Sequence, residues 1–212
     1  MNQSITRARG LLGLVALLLA VACGQPREQA LAPGSRVLAL GDSLTAGNGV
    51  TPDEAWPALL AARSGWVVIN GGLSGDTSAG ALQRLPALLE EQTPALVLVT
   101  LGGNDMLRRL PQDQTIANLV RILELVKASG AKSVLLATPK PTVAGAAFHS
   151  LSAAEFYRQV AKEQKVALIE DAFANVLSDP QLKVDQLHPN VAGHALLSNE
   201  IFQELKAIGY AR

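Results

Sequence analysis

Short apolar runs alternate with longer amphipathic segments along most of this chain. The runs are too short for helices and are rich in Val, Ile and Leu, which predicts buried strands; they cover residues 37–40, 66–69, 95–101, 133–137 and 166–169. Segments with helical spacing lie between and after them, at 53–63, 78–91, 113–129, 152–164 and 191–208. Such alternation predicts a parallel sheet with helices on both faces, because right-handed crossovers return each helix to the sheet. The expected fold is therefore α/β, a three-layer α/β/α sandwich around a five-stranded parallel sheet.

The amino-terminal segment has the pattern of a secretory signal peptide. Two arginines precede an uninterrupted apolar run from Leu11 to Ala22, which is twelve residues long. A helix needs roughly 18 or more apolar residues to cross about 30 Å of hydrocarbon, so this run is too short to span a membrane. We expect the chain to divide into a signal peptide, a polar tether and one globular domain: 1–22, 23–34 and 35–212.

Cys23 is the only cysteine of the chain and would be the first residue after cleavage. The triplet that ends in Ala22 resembles a bacterial lipobox, although lipoboxes prefer Leu where this chain has Ala20. Lipidation of Cys23 is one expectation, and plain secretion is the alternative. Gly24 favours the outer membrane, by resemblance to such lipoproteins. Either way we expect an exported protein of the bacterial cell envelope, which contacts a membrane only through a lipid on Cys23.

Composition disfavours several classes of partner. The 18 Lys and Arg residues are balanced by 18 Asp and Glu residues, whereas a nucleic-acid surface needs a basic stripe to neutralise phosphates. One Cys and three His leave almost no ligands for a structural zinc site. We therefore expect no nucleic acid and no metal. The chain has no heptad pattern, so a monomer is the default.

Chemically useful residues follow four of the predicted strands. Ligands of open parallel sheets bind at the carboxyl ends of the strands. Ser43 follows the first strand, Gly75 lies in the loop after the second, Asn104 follows the third, and Asp185 and His188 lie beyond the fifth. Together they supply a hydroxyl, a backbone N–H, an amide, a carboxylate and an imidazole, which an acyl-transfer site requires. Taken singly, each also fits a helix cap, a turn or polar surface.

The spacing of Asp185 and His188 adds weight to this interpretation. Residues three apart in a helix-like turn have Cβ atoms about 5–6 Å apart, so the carboxylate can fix the tautomer of the imidazole. The other two histidines, His149 and His194, have no acid at this offset. The free nitrogen of His188 can then accept the proton of Ser43 as its hydroxyl attacks a carbonyl. Gly-x-Ser-x-Gly and phosphate-binding glycine loops are absent from the sequence, which disfavours an α/β-hydrolase and a nucleotide-binding protein.

These residues resemble the sequence blocks of the SGNH, or GDSL, hydrolase family over roughly residues 37–205. The matching positions, in chain order, are Ser43, Gly75, Asn104, Asp185 and His188. The phrases AWPALL, SGDTS, RLPALL and LVLVTLGGND are similar to the bacterial thioesterase I, lysophospholipase and arylesterase subgroup. The segment 139–151 departs from the thioesterase I pattern, which leaves the size of an acyl pocket open.

The resemblance implies a flavodoxin-like sandwich and a role for each matched residue. Ser43 would be the nucleophile, His188 the base and Asp185 the residue that orients it. The backbone N–H groups of Ser43 and Gly75 and the amide of Asn104 would form the oxyanion hole. Expected substrates are small acyl esters, thioesters or lysophospholipids, cleaved through an acyl-enzyme without a cofactor. The alternatives are a carbohydrate acetyl esterase and a catalytically silent, lipid-anchored binding domain of the same fold.

The stretch after the asparagine block is half apolar and half basic. We expect Met106, Leu107 and Leu110 to contact an acyl chain, and Arg108 or Arg109 to meet an anionic head group. The alternative is that both leucines belong to the core and both arginines are solvated, since an apolar pair at a spacing of three usually faces a core.

Overall fold

The computed structural model describes residues 28–141 and 150–212. Its helices and strands are, in chain order, β1 (Arg36–Gly41), α1 (Ser43–Ala46), α2 (Trp56–Ser64), β2 (Val67–Gly72), α3 (Ser78–Gln92), β3 (Leu96–Thr100), α4 (Gly103–Leu107), α5 (Gln112–Ala128), β4 (Lys132–Leu136), α6 (Phe156–Gln164), β5 (Ala167–Ile169), α7 (Ala172–Ser178), a 3-10 turn (Pro180–Leu182) and α8 (Val191–Ile208). The predicted strands and the five longer predicted helices are all present. The helices α1, α4 and α7 were not predicted, because helices of 4, 5 and 7 residues are too short to show a period.

The five strands form one parallel sheet in the order β2-β1-β3-β4-β5. This is the flavodoxin-like order, so the predicted fold is confirmed. The chain leaves β1 toward β2 on one side and returns to place β3 on the other side. The direction of winding therefore reverses between β1 and β3, and the loops that follow these two strands diverge there. Ser43 follows β1 and Asn104 follows β3, so these two residues flank the switch point.

Alternate residues of the central strands pack into two separate cores. On β3, Leu96 and Leu98 belong to one core, and Val97 and Val99 belong to the other. The first core is completed by α2, α7 and α8, and the second by α3, α5 and α6. The strands are buried on both faces, which explains why the sequence shows continuous apolar runs rather than period-2 alternation.

The described part of the expected tether lies against the domain. The backbone N–H of Glu28 donates to the carbonyl of Ile208 over 3.3 Å, and that of Leu31 donates to Tyr210 over 2.9 Å. Leu31 also packs against the core beside α8, and the carboxylate of Glu28 pairs with Lys132 at 3.1 Å. Lys132 is the first residue of β4, so the amino-terminal segment runs along the edge of the sheet where strands begin. Cys23 and the predicted signal peptide lie outside the described residues.

Within residues 28–141 and 150–212, none of the helices combines the length and apolar character needed to cross a membrane.

Candidate active site

Ser43 is the first residue of a one-turn helix at the carboxyl end of β1. Asp42 caps this helix, since its Oδ1 accepts the backbone N–H of Leu44 at 3.0 Å. The buried indole of Trp56 donates to the carbonyl of Leu44 at 3.1 Å and ties the helix to α2. A side chain at Gly41 is excluded, because its Cβ would lie 2.1 Å from Oγ1 of Thr45. The turn therefore holds Ser43 at the rim of the sheet with its hydroxyl facing the loop after α7.

The structure brings Ser43, His188 and Asp185 into one chain of hydrogen bonds. Nε2 of His188 lies 2.9 Å from Oγ of Ser43, although the two residues are 145 positions apart. Nδ1 of His188 lies 2.8 Å from Oδ2 of Asp185. The other carboxylate oxygen accepts the backbone N–H groups of Leu187 at 2.7 Å and His188 at 2.8 Å. The predicted three-residue contact thus arises in a tight turn that the carboxylate itself closes.

The charge of Asp185 fixes the tautomer of His188. Burial raises the pKa of Asp185, but the hydrogen bonds from the ring of His188 and the N–H groups of Leu187 and His188 outweigh it, so its pKa is lowered. An ionised carboxylate has no proton to donate, so Nδ1 of His188 must carry one. Nε2 is then free to accept the hydroxyl proton of Ser43.

Two further groups converge on Ser43 from neighbouring loops. Gly75 has a φ of +78°, a conformation that favours glycine. Its carbonyl oxygen accepts a hydrogen bond from Nη2 of Arg108 at 2.6 Å. The N–H of Gly75, which belongs to the preceding peptide, has no protein acceptor among the described residues. The side-chain amide of Asn104 donates to Oδ2 of the buried Asp42 at 3.1 Å, which leaves its second proton unused. Gly75 and Asn104 line the same cavity as Ser43 and His188.

Arg84 and Asp76 connect the loop of Gly75 to the end of β1. Nε of Arg84 donates to Oδ2 of Asp76 at 2.8 Å, and Nη2 donates to the carbonyl of Gly41 at 3.0 Å. The side chain of Asp76 is only 6% exposed, and Gly80 makes room for it, since a Cβ there would lie 2.1 Å from Oδ1. One guanidinium therefore sets the distance between the strand that carries Ser43 and the loop that carries Gly75.

Asp105 and Tyr157 hold the loop of Asn104. The buried carboxylate of Asp105 accepts the backbone N–H of Ser78 at 2.9 Å and also its hydroxyl, which joins this loop to the start of α3. The buried hydroxyl of Tyr157 donates to the carbonyl of Leu101 at 2.6 Å. Sequence reasoning missed these supports. Asp76, Arg84 and Asp105 lie inside the quoted family phrases, but no sequence signal marked Tyr157.

The chain is similar to known proteins over most of its length. Residues 39–196 match the GDSL-like Lipase/Acylhydrolase family. Esterase TesA of Pseudomonas aeruginosa is 36% identical, with 95% of this chain and 99% of that protein covered. Thioesterase 1/protease 1/lysophospholipase L1 of Escherichia coli K12 is 38% identical, with 84% and 86% covered. The crystal structure of the psychrotrophic esterase EstA from Pseudoalteromonas sp., inhibited by monoethylphosphonate, superposes with a TM-score of 0.70 at 30% identity, covering 82% of this chain and 97% of that one.

The chain belongs to the GDSL-like lipase/acylhydrolase family. It is a hydrolase that acts on ester bonds, as the family match and the identity to these esterases over most of the chain show. In the structure of this GDSL hydrolase, the matched positions meet at the switch point between β1 and β3, where ligands of doubly wound sheets bind.

A cavity of about 760 Å³ opens beside Ser43 in this hydrolase. Its apolar wall consists of Leu44, Leu107, Leu151, Leu177 and Leu187, with prolines 139 and 141. Two lysines, 140 and 183, also line it. The segment 139–151 thus contributes to the pocket at both of its ends, and residues 142–149 lie outside the described residues. No group of three or more His, Cys, Asp or Glu side chains in the described part of the chain could hold a metal ion.

The stretch after Asn104 differs from both sequence expectations. Leu107 lines the cavity, as expected for an acyl contact, but Met106 packs against the core and Leu110 is not part of the lining. The alternative that both leucines are core residues is wrong, because Leu107 is 45% and Leu110 40% exposed. The physical reason is that α4 lasts only five residues, so helical spacing does not continue to Leu110. Arg108 bonds Gly75, which neither expectation contained.

Burial of Asp42 makes the stability of this hydrolase depend on pH. Burial raises the pKa of Asp42 to about 6, although the N–H of Leu44, the charge of His188 and the amide of Asn104 each lower it. In the unfolded chain the ordinary value is 3.8. Well below pH 3.8 the carboxyl is neutral in both states, and its burial does not lower the free energy of unfolding. As pH rises through 6, the folded state must hold a buried charge and stability is lost, by up to about 3 kcal/mol.

The variant Asp42→Asn removes this titration. We expect the free energy of unfolding of the wild type, relative to the variant, to fall as pH rises from about 4 to 7. In the variant, the new amide faces the amide of Asn104. This contact changes the free energy of unfolding by an amount that does not depend on pH. Urea unfolding of both proteins at several pH values measures the difference, and a difference that stays constant over this range would contradict the prediction.

Proposed function

We propose that this hydrolase cleaves carboxylic esters or thioesters through an acyl-enzyme on Ser43. The observation that carries the proposal is the continuous set of hydrogen bonds from Ser43 through His188 to Asp185. In acylation, Oγ of Ser43 attacks the carbonyl carbon while its proton passes to Nε2 of His188. Asp185 stabilises the imidazolium, which then gives the proton to the departing alcohol or thiol. Water attacks the acyl-enzyme in the second half-reaction, with His188 again as base and then acid.

The negative charge that develops on the carbonyl oxygen needs donors that are already in place. The N–H groups of Ser43 and Gly75 and the free proton of the Asn104 amide supply up to three such donors. Asp42, Arg84, Asp105 and Tyr157 are positioning residues in this proposal, because each bonds a donor's own loop or side chain rather than the reacting atoms. Donors fixed before the reaction need no reorganisation when charge appears, which is why such sites lower the barrier strongly.

The substrate preference rests on the apolar wall of the cavity and on the relatives. Similar proteins are named arylesterase, esterase, and thioesterase 1/protease 1/lysophospholipase L1. A cavity of about 760 Å³ with an apolar wall of leucines and prolines favours an acyl chain longer than acetyl. We therefore propose aryl and alkyl esters, acyl thioesters and lysophospholipids as the substrate class.

Hydrolysis of p-nitrophenyl esters from acetyl to palmitoyl tests this assignment. We expect turnover to rise beyond the acetyl ester, because each added methylene can bury against the leucine wall until the cavity is filled. The variant Leu107→Ala should move the optimum, since this side chain lines the pocket. A maximum at acetyl, together with deacetylation of acetylated sugars, would favour a carbohydrate esterase instead. No turnover of any ester would favour a binding domain.

We also propose that the enzyme is exported to the cell envelope, as a monomer, and that its mature form begins at Cys23. The support is the signal-peptide pattern that ends at Ala22 and the position of the single cysteine. Mass spectrometry of the mature protein distinguishes a lipidated Cys23 from a plain secreted chain.

A further inference from the structure

The exposed large hydrophobic side chains are concentrated around the mouth of the cavity. Among the described residues eight such side chains are exposed, and six of them lie in the loops and at the helix ends at the carboxyl edge of the sheet. We call these six the apolar rim: Leu73, Leu107, Leu110, Val184, Leu187 and Val191. Their exposed fractions are 40% to 54%. Single exposed apolar residues are ordinary on a protein surface, whereas a concentration at one place marks an interaction site.

Contacts between the loops place the apolar rim beside one opening. Arg108, next to Leu107, donates to the carbonyl of Gly75 in the loop of Leu73. Ser74 in that loop bonds Asn48, and a Cβ on the neighbouring Gly49 would lie 2.6 Å from Val184. From Val184 the chain runs through Leu187 to the catalytic histidine and on to Val191 at the start of α8. These contacts therefore join the loops into one continuous arc beside Ser43.

Basic side chains lie at the same mouth. Lys140 and Lys183 line the cavity, and Arg108 bonds a carbonyl oxygen, so its charge is not neutralised. Neither lysine forms an ion pair within residues 28–141 and 150–212. Asp42 is the one carboxylate among the lining residues, and it is buried. The carboxylate of Asp185, beside Val184, is exposed and bonds the ring of His188. Apolar side chains beside unpaired cations suit a surface of acyl chains and anionic head groups.

We propose that the apolar rim docks on an anionic lipid surface and takes its acyl substrate from that surface. This inference rests on the proposed function, because it assigns the form in which the substrate reaches Ser43. The leucines and valines enter the boundary between head groups and acyl chains, and the lysines and Arg108 lie at the level of the phosphates. Docking in this way removes water from the mouth and lets an acyl chain pass from lipid into the leucine-lined cavity.

The attachment of the amino terminus specifies which lipid surface this can be. Glu28 is bonded to the carboxyl end of α8 and to the start of β4, at the edge of the sheet opposite the apolar rim. A chain from Cys23 to Glu28 reaches at most about 18 Å, whereas α8, which runs from the rim to Ile208, is about 27 Å long. A membrane that held Cys23 would therefore lie on the far side of the domain. The rim would therefore meet a second bilayer, separate from the one that holds Cys23.

Binding to vesicles tests the docking face with a matched pair of variants. The chain from Cys23, which contains every described contact, is sedimented with phosphatidylcholine vesicles that contain or lack phosphatidylglycerol. The double variant Leu73→Ser/Val191→Ser removes one Leu and one Val from the rim, outside the cavity lining. The control, Val67→Ser/Leu196→Ser, removes one exposed Leu and one exposed Val elsewhere on the surface. Thermal unfolding of both variants confirms that they fold.

We expect the wild type to bind the phosphatidylglycerol vesicles and to release them in high salt, since screening weakens the contribution of the cations. The rim variant should bind about tenfold or more weakly, because less apolar surface is buried on docking, while the control should bind as the wild type does. Absence of vesicle binding by the wild type, or equal loss in the control, would overturn the proposal. Turnover of a water-soluble p-nitrophenyl ester should be the same in all three proteins. Failure of that hydrolysis would instead refute the proposed function.

Discussion

Replacement of Ser43 by alanine is expected to lower kcat for every ester substrate by about 10⁴-fold or more. The hydroxyl is the attacking group in the proposed mechanism, and its loss leaves only binding and the oxyanion donors to accelerate hydrolysis. The hydroxyl bonds only His188 among the described residues, so the fold and the free energy of unfolding should change little. Steady-state kinetics and urea unfolding of the purified variant measure the two effects.

The variant Ser129→Ala is a suitable control. Its hydroxyl caps the end of α5 by donating to Val126 at 2.7 Å, on the side of the sheet where strands begin, and its loss should leave kcat unchanged. A reactive phosphonate should add its mass to the wild type and to Ser129→Ala but not to Ser43→Ala. Retention of more than about a tenth of kcat by Ser43→Ala would remove the acyl-enzyme on this residue from the mechanism.

Replacement of Asn104 by alanine is expected to lower kcat by about 10²–10³-fold, with a small change in KM. The loss of one oxyanion donor typically has this size, because the donor stabilises charge that exists only in the transition state. The substitution also removes the hydrogen bond that the buried carboxylate of Asp42 accepts from the amide of Asn104. Some loss of stability should therefore accompany the loss of rate, and unfolding measurements separate the two.

The exposed amide of Asn175 offers a comparison, because it bonds Glu200 on the surface formed by α7 and α8. The variant Asn175→Ala should keep wild-type kinetics. A rise in KM at unchanged kcat in Asn104→Ala would show that the amide binds the ground state instead, and Asn104 would then be a substrate-binding residue rather than an oxyanion donor.

Much of the fold could be predicted because its signals are local. Strands buried on both faces need continuous apolar runs, and long helices need a periodic apolar stripe, so both kinds of element leave a pattern in adjacent residues. The short helices α1, α4 and α7 leave no such pattern, because fewer than two turns cannot show a period. For this reason the environment of Leu107 and Leu110, at and after the end of α4, differed from both expectations.

The residues of the candidate site could be predicted, but the residues that hold them in place could not. Ser43, Gly75, Asn104, Asp185 and His188 could be proposed from the chain, since each follows a recognisable strand and together they match a family pattern. The structure places all five around one opening, and their catalytic roles await the experiments above. The side chains that hold these loops in place depend on contacts between residues far apart in the chain. The pairing of Arg84 with the carbonyl of Gly41 joins residues 43 positions apart, and the bond from Tyr157 to Leu101 joins residues 56 apart.

The sequence by itself therefore determined the class of fold, the family, and the residue types at the ends of the strands, because these depend on local patterns and on short motifs. Only the tertiary structure decided which of these residues touch, what holds them in place, and where the apolar rim and the amino-terminal segment lie relative to the cavity. The physical reason is that a bond such as that of His188 with Ser43 depends on the relative positions of several packed elements. No spacing along the chain records those positions, because they follow from the packing of two cores against one sheet.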